Sequence, residues 1–390
     1  MSHPLVIIES HPVQYHAPVY REVARAGVPL VVLYGSDLSV VGYRDREFNT
    51  QFAWDIDLLS GYGSVFLSRT SEGGASNADA VSAENIDSRL KALKPAAVML
   101  VGYASTFDRG ATLAAKRLGK PILFRAETTD HAKKRSWLKQ VIRDWKLRRF
   151  YRTCSRLLYI GERSLAHYRR LGVPDSKLIL SPYCVDASQF QTDESARTAA
   201  RQRIRVLLDI SEDRLALLFS GKIVHRKGVD LLVPAVKALP LDLAERVVLV
   251  FLGDGNERES IAATASSQGV DVRFVGFQNQ SLLSNYYHGS DCLVLPSRLG
   301  ETWGLVVNEA LQHGLPVIAS DAVGCVPDLV KPGITGEVFA SGSINDLADA
   351  IQRVAKLVGS PKVRDQCRST MNKYTISSAA AGIITAFRAL

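Results

Sequence analysis

The stretch Gly300-Glu-Thr-Trp-Gly-Leu-Val-Val-Asn-Glu-Ala-Leu311 decides the fold of this 390-residue chain. It follows the apolar run 291–296, which predicts a buried strand, and it continues into helix-forming residues that stop at His313-Gly314. The next apolar run, 316–320, predicts another strand. The stretch therefore spans the corner between a strand and a helix of an α/β unit.

The start of this helix is predicted to bind an anion. The first amides of a helix lack intrahelical partners, and with the helix dipole they favour a negative group beside Gly304, Leu305 and Val306. Glu301 stands before the helix, whereas Glu309 lies about 7 Å further along its axis at 1.5 Å per residue. A phosphate between two carboxylates suits a nucleotide sugar, whose hydroxyls flank its diphosphate. For the bare pair of acids, an ordinary amphipathic helix is the alternative.

Two glutamates separated by seven residues, followed by Ala-Leu-x-x-Gly-Leu-Pro-Val-Ile-Ala-Ser-Asp, resemble the signature of the retaining family 4 glycosyltransferases of the GT-B fold. The resemblance implies that Glu301 faces the transferred sugar and that Glu309 binds the ribose. It also implies an α/β fold of two Rossmann-like domains facing across a cleft. We expect the acceptor-side domain at 1–184, the nucleotide-sugar domain at 185–374, and a C-terminal helix at 375–390 that packs back on the first domain.

The second half carries most of the matching residues. Gly221-Lys-Ile-Val-His-Arg-Lys-Gly228 places Lys222 and Lys227 where relatives hold basic residues that contact the donor diphosphate. Cations there would also stabilise the charge that builds on the leaving diphosphate. A purely structural basic turn is the alternative. Donor binding is assigned to Gly221, Gly276, Phe277, Gln278, Thr302, Trp303, Gly304, Leu305, Val306 and Glu309, and catalysis to Glu301, Lys222, Lys227 and Glu127.

The first half resembles the family only in layout. Its first predicted strand, 5–8, ends in a polar loop at the edge of the sheet where ligands bind in open α/β folds. That loop supplies His11, Gln14, Tyr15 and His16 as acceptor or cleft candidates. A solvated polar loop is the alternative.

Glu127 takes the position at which many relatives have a histidine facing the reacting sugar. Its carboxylate is a candidate base for the acceptor hydroxyl, with a surface ion pair to Arg125 as the alternative. His131, one helical turn further on, is a competing candidate. Asp55 and Asp57 form the Asp-x-Asp pattern of metal-binding sites, but a lone pair of acids carries little information, and we interpret it as an ordinary loop. We expect no metal and no cofactor besides the donor substrate.

The composition is that of a soluble globular protein, with 46% hydrophobic and 22% charged residues. The N-terminus lacks the features of a signal peptide, and no run approaches the roughly 20 apolar residues of a spanning helix. We therefore expect a cytoplasmic protein, or one peripheral at the inner face of the membrane. Its five cysteines are scattered and lack a Cys-x-x-Cys pair, which predicts reduced thiols without disulfides or zinc.

The net charge of +9 is concentrated in one segment, 133–156, which holds ten basic residues and the single acid Asp144. Removing these from the totals of 48 basic and 39 acidic residues leaves 38 of each. On a helix, an apolar stripe runs beside a basic stripe, a pattern that suits an anionic membrane surface and a lipid-linked acceptor. The alternative is a helix packed on the sheet with a solvated basic face. The apolar stripe comprises Leu138, Val141, Ile142 and Trp145, and the basic stripe Arg135, Lys139, Arg143 and Lys146.

These observations together predict transfer of a sugar from a nucleoside diphosphate sugar, with UDP-sugars favoured, to a hydroxyl of a glycan or lipid-linked acceptor. The resemblance implies retention at the anomeric carbon. A GT-B phosphorylase or epimerase and a non-catalytic sugar-nucleotide-binding protein are the alternatives. Nucleic acid is not an expected partner, because no groove-reading motif accompanies the basic segment.

Overall fold

A computed structural model describes residues 3–45, 50–52, 56–75, 77–132, 135–190 and 193–390 of the chain. The described backbone forms two open parallel β-sheets with helices on their faces and a small antiparallel hairpin. The predicted α/β fold with two Rossmann-like domains is confirmed. Within these ranges, none of the helices is both long enough and apolar enough to cross a membrane.

The first sheet is made by the N-terminal half of the chain. The strands of this half are β1 (Leu5–Glu9), β2 (Leu30–Tyr34), β3 (Tyr43–Asp45), β4 (Thr50–Phe52), β5 (Gly63–Phe66), β6 (Ala97–Leu100), β7 (Ile122–Arg125), β8 (Arg156–Tyr159) and β9 (Leu178–Leu180). Its helices are α1 (Ala17–Arg25), α2 (Leu38–Val41), α3 (Ile86–Leu93), α4 (Thr106–Leu118), α5 (Trp137–Thr153) and α6 (Glu162–Arg170). Seven strands pair in the order β5-β2-β1-β6-β7-β8-β9, and β3 and β4 form the hairpin.

The second sheet has six strands, in the order β12-β11-β10-β13-β14-β15. These are β10 (Leu215–Ser220), β11 (Val247–Leu252), β12 (Asp271–Gly276), β13 (Cys292–Leu295), β14 (Val317–Ser320) and β15 (Gly336–Phe339). The helices that follow the first domain are α7 (Glu194–Leu207), α8 (Leu232–Lys237), α9 (Leu241–Ala244), α10 (Arg258–Gln268), α11 (Gln280–Gly289), α12 (Leu305–Gln312), α13 (Val326–Leu329), α14 (Ile344–Ala355), α15 (Pro361–Thr370) and α16 (Ile376–Arg388).

The central strands are continuous apolar runs because helices cover both faces of each sheet. All residues of β1, β10 and β11 are buried. Each sheet has one apolar cluster on either face, so each domain has its own core. The five cysteines are buried and unpaired.

The last helix, α16, packs on the first domain. Its Ala379 and Ile383 join the core cluster that contains Leu5 and Ile7 of β1. The Ser181 hydroxyl donates to the Ala379 carbonyl over 2.8 Å, which fixes the helix beside the end of β9. A Cβ atom at Gly382 would lie 2.1 Å from the Leu180 carbonyl oxygen, so this close approach needs a glycine.

The packing of the basic helix α5 contradicts the alternative in which its apolar stripe packs on the sheet, and it leaves the predicted membrane contact untested. Its buried side chains are Leu147, Phe150 and Tyr151, whereas the predicted apolar stripe is exposed. Arg143, predicted to belong to the solvated basic stripe, is instead largely buried and pairs with Asp130 at 3.0 Å.

Two basic residues of the segment, Lys133 and Lys134, lie outside the described residues, as does Asp55 of the Asp-x-Asp pair. Asp57 accepts the backbone amides of residues 59 and 60, as expected of a loop.

Candidate active site

The stretch 300–311 forms the predicted corner between β13 and α12. Gly304, with φ of 100°, directly precedes the helix in the left-handed region that favours glycine. A Cβ atom there would lie 3.0 Å from both Leu295 and Val323. The amides of Leu305 and Val306 belong to the first helical turn, so the corner supplies the helix start at which we predicted a phosphate.

Glu301 lies beside this helix start and is held by two side chains. Lys227 donates to its Oε2 atom, and the Ser297 hydroxyl donates to the same atom over 2.9 Å. The side chains of Glu301 and Lys227 are only 13% and 15% exposed, so the pair is little screened by water. The structure thus brings together the predicted sugar-facing acid and one of the two predicted diphosphate lysines.

The other predicted donor residues lie on neighbouring loops of the same sheet edge. Gly221 and Lys222 follow β10, which pairs with β13. Gly276 ends β12 on the far side of β11, and Phe277 and Gln278 follow it. Parallel strands bring their carboxyl ends to one edge, which is where ligands bind in this kind of sheet. Their contacts with a donor stay predictions.

Glu309 is enclosed by two tyrosines. The Tyr287 hydroxyl donates to its Oε2 atom over 2.6 Å, and the Tyr15 hydroxyl, from the first domain, donates to its Oε1 atom over 3.3 Å. The carboxyl is 1% exposed. Burial raises the pKa of Glu309 to about 7, although both hydrogen bonds oppose this shift. The acid that we predicted to bind the ribose therefore already has two hydroxyl donors.

Glu127 connects the two domains. It accepts hydrogen bonds from the Tyr183 hydroxyl and from the Thr302 hydroxyl, the latter on the residue next to Glu301. The alternative of a surface ion pair with Arg125 is wrong. The Arg125 guanidinium is buried and donates to the Ser181 hydroxyl over 2.9 Å.

A chain of hydrogen bonds connects Glu127 with the loop after β1 in the same domain. His16 contacts the Tyr183 hydroxyl through Nε2 at 3.3 Å and the buried Glu9 through Nδ1 at 2.6 Å. The Tyr20 hydroxyl donates to the other carboxylate oxygen of Glu9 over 3.0 Å. The loop after β1 is therefore part of the interdomain network, and the alternative of a solvated polar loop is wrong.

Two other predicted residues of this loop are enclosed. His11 contacts the Ser10 hydroxyl through Nδ1 at 2.9 Å, and burial lowers its pKa. Gln14 is 6% exposed, and its Oε1 atom has no hydrogen-bond partner among the described residues. Gln14 and Tyr15 line a pocket of about 340 Å³ that Gln280 closes from the second domain. This pocket adjoins the tyrosine contact with Glu309.

The enclosed surroundings of His131 and Trp303 were not apparent from the sequence. Burial, together with the charge of Arg163, lowers the pKa of His131 to about 4, and its Nε2 atom has no partner in the described parts of the chain. The Trp303 side chain is 3% exposed, and its Nε1–H donates to Asn308 over 2.8 Å. The indole of Trp303 is therefore enclosed, and the donor contact predicted for Trp303 stays a prediction.

Several residues that complete this cluster were not among the predicted site residues. Ser297 and Tyr287 hold the two glutamates, and Glu9 and Tyr183 support Glu127 through the network described above. Tyr183 had one sequence signal, because it replaces the asparagine that relatives carry at the crossing between domains. Glu127 and Tyr183, two departures from the family pattern, contact each other.

Similar solved structures identify the class of fold. HepE of Anabaena, solved in complex with UDP and glucose, has a TM-score of 0.70 at 14% identity over 100% of both chains. Sucrose-phosphate synthase of Thermosynechococcus elongatus has a TM-score of 0.72 at 19% identity, covering 100% of this chain and 99% of its own. The chain thus has the GT-B fold of these proteins.

The second domain is similar in sequence to a known family. Residues 200–373 match the family described as glycosyl transferases group 1. The D-inositol 3-phosphate glycosyltransferase of Actinosynnema mirum is 33% identical over 194 residues, 47% of this chain and 45% of that protein. The lipopolysaccharide 1,2-N-acetylglucosaminetransferase of Salmonella typhimurium is 33% identical over 172 residues, 40% of this chain and 45% of that protein. The matched part thus spans less than half of each relative. Residues 200–373 thus resemble the group 1 glycosyltransferases, over less than half of this chain.

Proposed function

We propose that this protein is a retaining glycosyltransferase of the family 4 type. It moves a sugar from a nucleoside diphosphate sugar, with UDP-sugars favoured, to a hydroxyl of a glycan or lipid-linked acceptor. The observation that carries the proposal is the Glu301–Lys227 pair at the start of α12, with Glu127 of the other domain bonded to the adjacent Thr302. HepE, which has the same fold, was solved with UDP-glucose, and this makes UDP-sugars the first donors to test.

The proposed reaction exchanges one bond at the anomeric carbon for another on the same face. The bond to the diphosphate oxygen breaks, and the acceptor oxygen forms the new bond as its proton passes to Glu127. Negative charge grows on the departing diphosphate. Lys222, Lys227 and the first amides of α12 supply positive charge where it builds, so we propose that no metal is required.

Donor binding would rearrange the tyrosines around Glu309. A ribose that bonds to this carboxylate replaces the Tyr15 hydroxyl, which belongs to the opposite domain and has the longer of the two bonds. Tyr287 can stay in place, because a carboxylate has acceptor sites for several donors. Donor binding is thereby coupled to the position of the loop after β1.

The acceptor side of the proposal rests on the first domain. His11, Gln14, His16 and His131 lie on its loops at the cleft, and they are candidates for contacts with the acceptor. The exposed basic helix α5 supports a protein that works at the inner face of a membrane, where lipid-linked acceptors are found.

The proposal is tested by measuring donor binding and then transfer. UDP, GDP, ADP and their sugars are screened for a rise in melting temperature, since a ligand that binds only the folded state stabilises it. The best donor is then incubated with hydroxyl acceptors, with and without EDTA, and the anomeric configuration of the product is read by NMR. We expect transfer with retention in both conditions. Inversion, dependence on metal, or sugar phosphate formed from a disaccharide and inorganic phosphate would each contradict the proposal.

A further inference from the structure

Helix α5 carries an apolar stripe that faces away from the protein. Trp137 is 76% and Trp145 is 62% exposed, and Leu138, Val141 and Ile142 are each at least 46% exposed. At about 100° per residue, these five positions share one arc that is roughly opposite to the buried residues of the helix. A contiguous exposed apolar patch on a soluble domain marks an interaction surface.

The orientation of the stripe is fixed by the other side of the helix. Leu147, Phe150 and Tyr151 anchor α5 in the core of the first domain. Polar contacts add to this anchor, because Arg143 bonds to Asp130 over 3.0 Å and Arg170 of α6 donates to Asp144 over 3.0 Å. The helix therefore cannot turn its apolar stripe inward without losing its packed face.

Unpaired cations surround the stripe. Five basic side chains of α5 have no carboxylate within 4.0 Å in the part of the chain that the structure describes: Lys139, Lys146, Arg148, Arg149 and Arg152. The arginines continue the exposed arc beyond the apolar residues, and the lysines lie along its side. Since the rest of the chain is neutral overall, the net positive charge of the protein comes from the segment 133–156, to which these five cations belong.

A groove between α4 and α5 adjoins this surface. Its volume is about 650 Å³, and its walls combine apolar side chains with basic ones. The apolar lining includes Leu113, Ile142 and Phe150, and the basic lining includes Arg109 and Lys116. A groove with this lining fits an amphiphile with an anionic head and an apolar tail.

The groove reaches the edge of the sheet that holds the candidate active site. Tyr103 and Ala104 line it and lie on the loop after β6, whose neighbour β7 leads to Glu127. Adjacent strands lie about 4.8 Å apart, so these loops are next to each other. A lipid in the groove would thus have its head near the cleft.

We propose that the face formed by α4 and α5 docks on an anionic lipid bilayer. The tryptophans and aliphatic side chains of α5 enter the interface, the surrounding cations contact lipid phosphates, and one anionic lipid occupies the groove. Tryptophan favours the boundary between headgroups and acyl chains, which argues for a membrane over a nucleic acid partner. The consequence that the acceptor is lipid-linked rests on the proposed function, whereas membrane docking does not.

The test is cosedimentation of the full chain with vesicles of phosphatidylcholine alone or mixed with phosphatidylglycerol. We expect binding only to the anionic vesicles, and weaker binding as salt is raised. Trp137→Ser with Trp145→Ser should reduce it strongly. Lys139→Glu with Lys146→Glu should reduce it at least ~25-fold, since each cation near the surface contributes about fivefold.

The control is Lys237→Glu with Lys362→Glu, an equal change of charge at exposed positions of the second domain. It should bind vesicles as the unchanged protein does. Equal weakening by the control, equal binding to neutral vesicles, or no binding at all would overturn the proposal. Binding to RNA without binding to vesicles would also overturn it. So would a dimer that the tryptophan substitutions dissociate, if vesicles are not bound. The melting shift with UDP, measured in every variant, separates loss of membrane docking from failure of the proposed transferase function.

Discussion

The Tyr15 hydroxyl donates to Glu309 across the interdomain cleft, over 3.3 Å and between residues 294 positions apart in the chain. Tyr15 belongs to the loop after β1, and Glu309 belongs to α12 of the second domain. Together with Tyr287, Tyr15 completes the enclosure of a carboxyl that the ribose of a donor is proposed to contact. If the ribose binds there as proposed, Tyr15 competes with the donor for Glu309.

Replacing Tyr15 by phenylalanine should therefore tighten donor binding. Tyr15→Phe removes the competing hydroxyl and keeps the ring, and the gain should be about 2- to 10-fold in Kd for the nucleotide, the range of one hydrogen bond. Isothermal titration with UDP measures it. Tyr159→Phe, on β8, is the matched control and should leave Kd unchanged. Weaker binding by Tyr15→Phe would show that the hydroxyl assists the donor.

Glu309 should make the stability of the protein depend on pH. Its pKa is raised to about 7 by burial, so the folded protein keeps a proton that the unfolded chain releases near its ordinary value. Between about pH 4.5 and pH 7 the folded state thus binds more protons, and the free energy of unfolding falls as pH rises. The loss from this group should approach about 3 kcal/mol at pH 8.

Glu309→Gln should abolish that contribution, because glutamine does not titrate. Urea denaturation of both proteins at about pH 5 and about pH 8 measures the difference between their unfolding free energies. Relative to the variant, the unchanged protein should lose stability towards pH 8. The raised pKa of Asp328, to about 6, affects both proteins alike and cancels in this difference. A difference that is constant with pH would show that Glu309 titrates normally.

Lys227 should act mainly on turnover. Its ammonium group contacts Glu301 beside the proposed diphosphate, where charge grows as the bond to the sugar breaks. Lys227→Ala should lower kcat by about 10²–10³-fold, which is typical for removing one charge-stabilising donor. Steady-state assays with saturating donor measure it. Lys237→Ala removes an exposed lysine at the end of α8 and should be neutral. A change confined to KM would assign Lys227 to donor binding alone.

Glu127 should be needed for the acceptor hydroxyl to lose its proton. Glu127→Gln keeps the shape of the side chain and removes its basicity, so kcat should fall by about 10²–10⁴-fold with little change in donor KM. Tyr183→Phe removes one hydrogen bond to this carboxylate and should have a smaller effect, about tenfold. Glu84→Gln, on an exposed loop of the same domain, is the control. Should Glu127→Gln retain full turnover while His131→Ala loses it, the base would be His131.

Sequence patterns predicted the fold well where burial produces continuous apolar runs. Strand β1 extends the predicted strand 5–8 by one residue, and β13 and β14 lie within the predicted strands 291–296 and 316–320. Strand β5, Gly63–Phe66, was not predicted, because it lies at the edge of its sheet and is only partly buried. An edge strand lacks the apolar run that reveals a central one.

The site was predictable only as far as local geometry determines it. The start of α12 and the loop of Lys227 follow from strand-to-helix corners at one sheet edge. The contacts of Tyr15 with Glu309 and of Glu127 with Thr302 depend on how two domains meet, which no local pattern encodes. The apolar stripe of α5 was recognised by its period, yet periodicity does not tell whether a stripe faces the core or the solvent.

The chain crosses between the two domains twice, and the two crossings restrict how the cleft can open. The first crossing contains Tyr183 and the second contains Tyr374. Both tyrosine rings pack on Trp303, with ring centroids 6.1 and 6.0 Å from that of Trp303. One flexible link would let the domains swivel freely, whereas two links beside one another allow chiefly a hinge rotation. Atoms close to such an axis travel least. Glu301, two residues from Trp303, should therefore keep its surroundings while the mouth of the cleft widens for substrates to enter and products to leave.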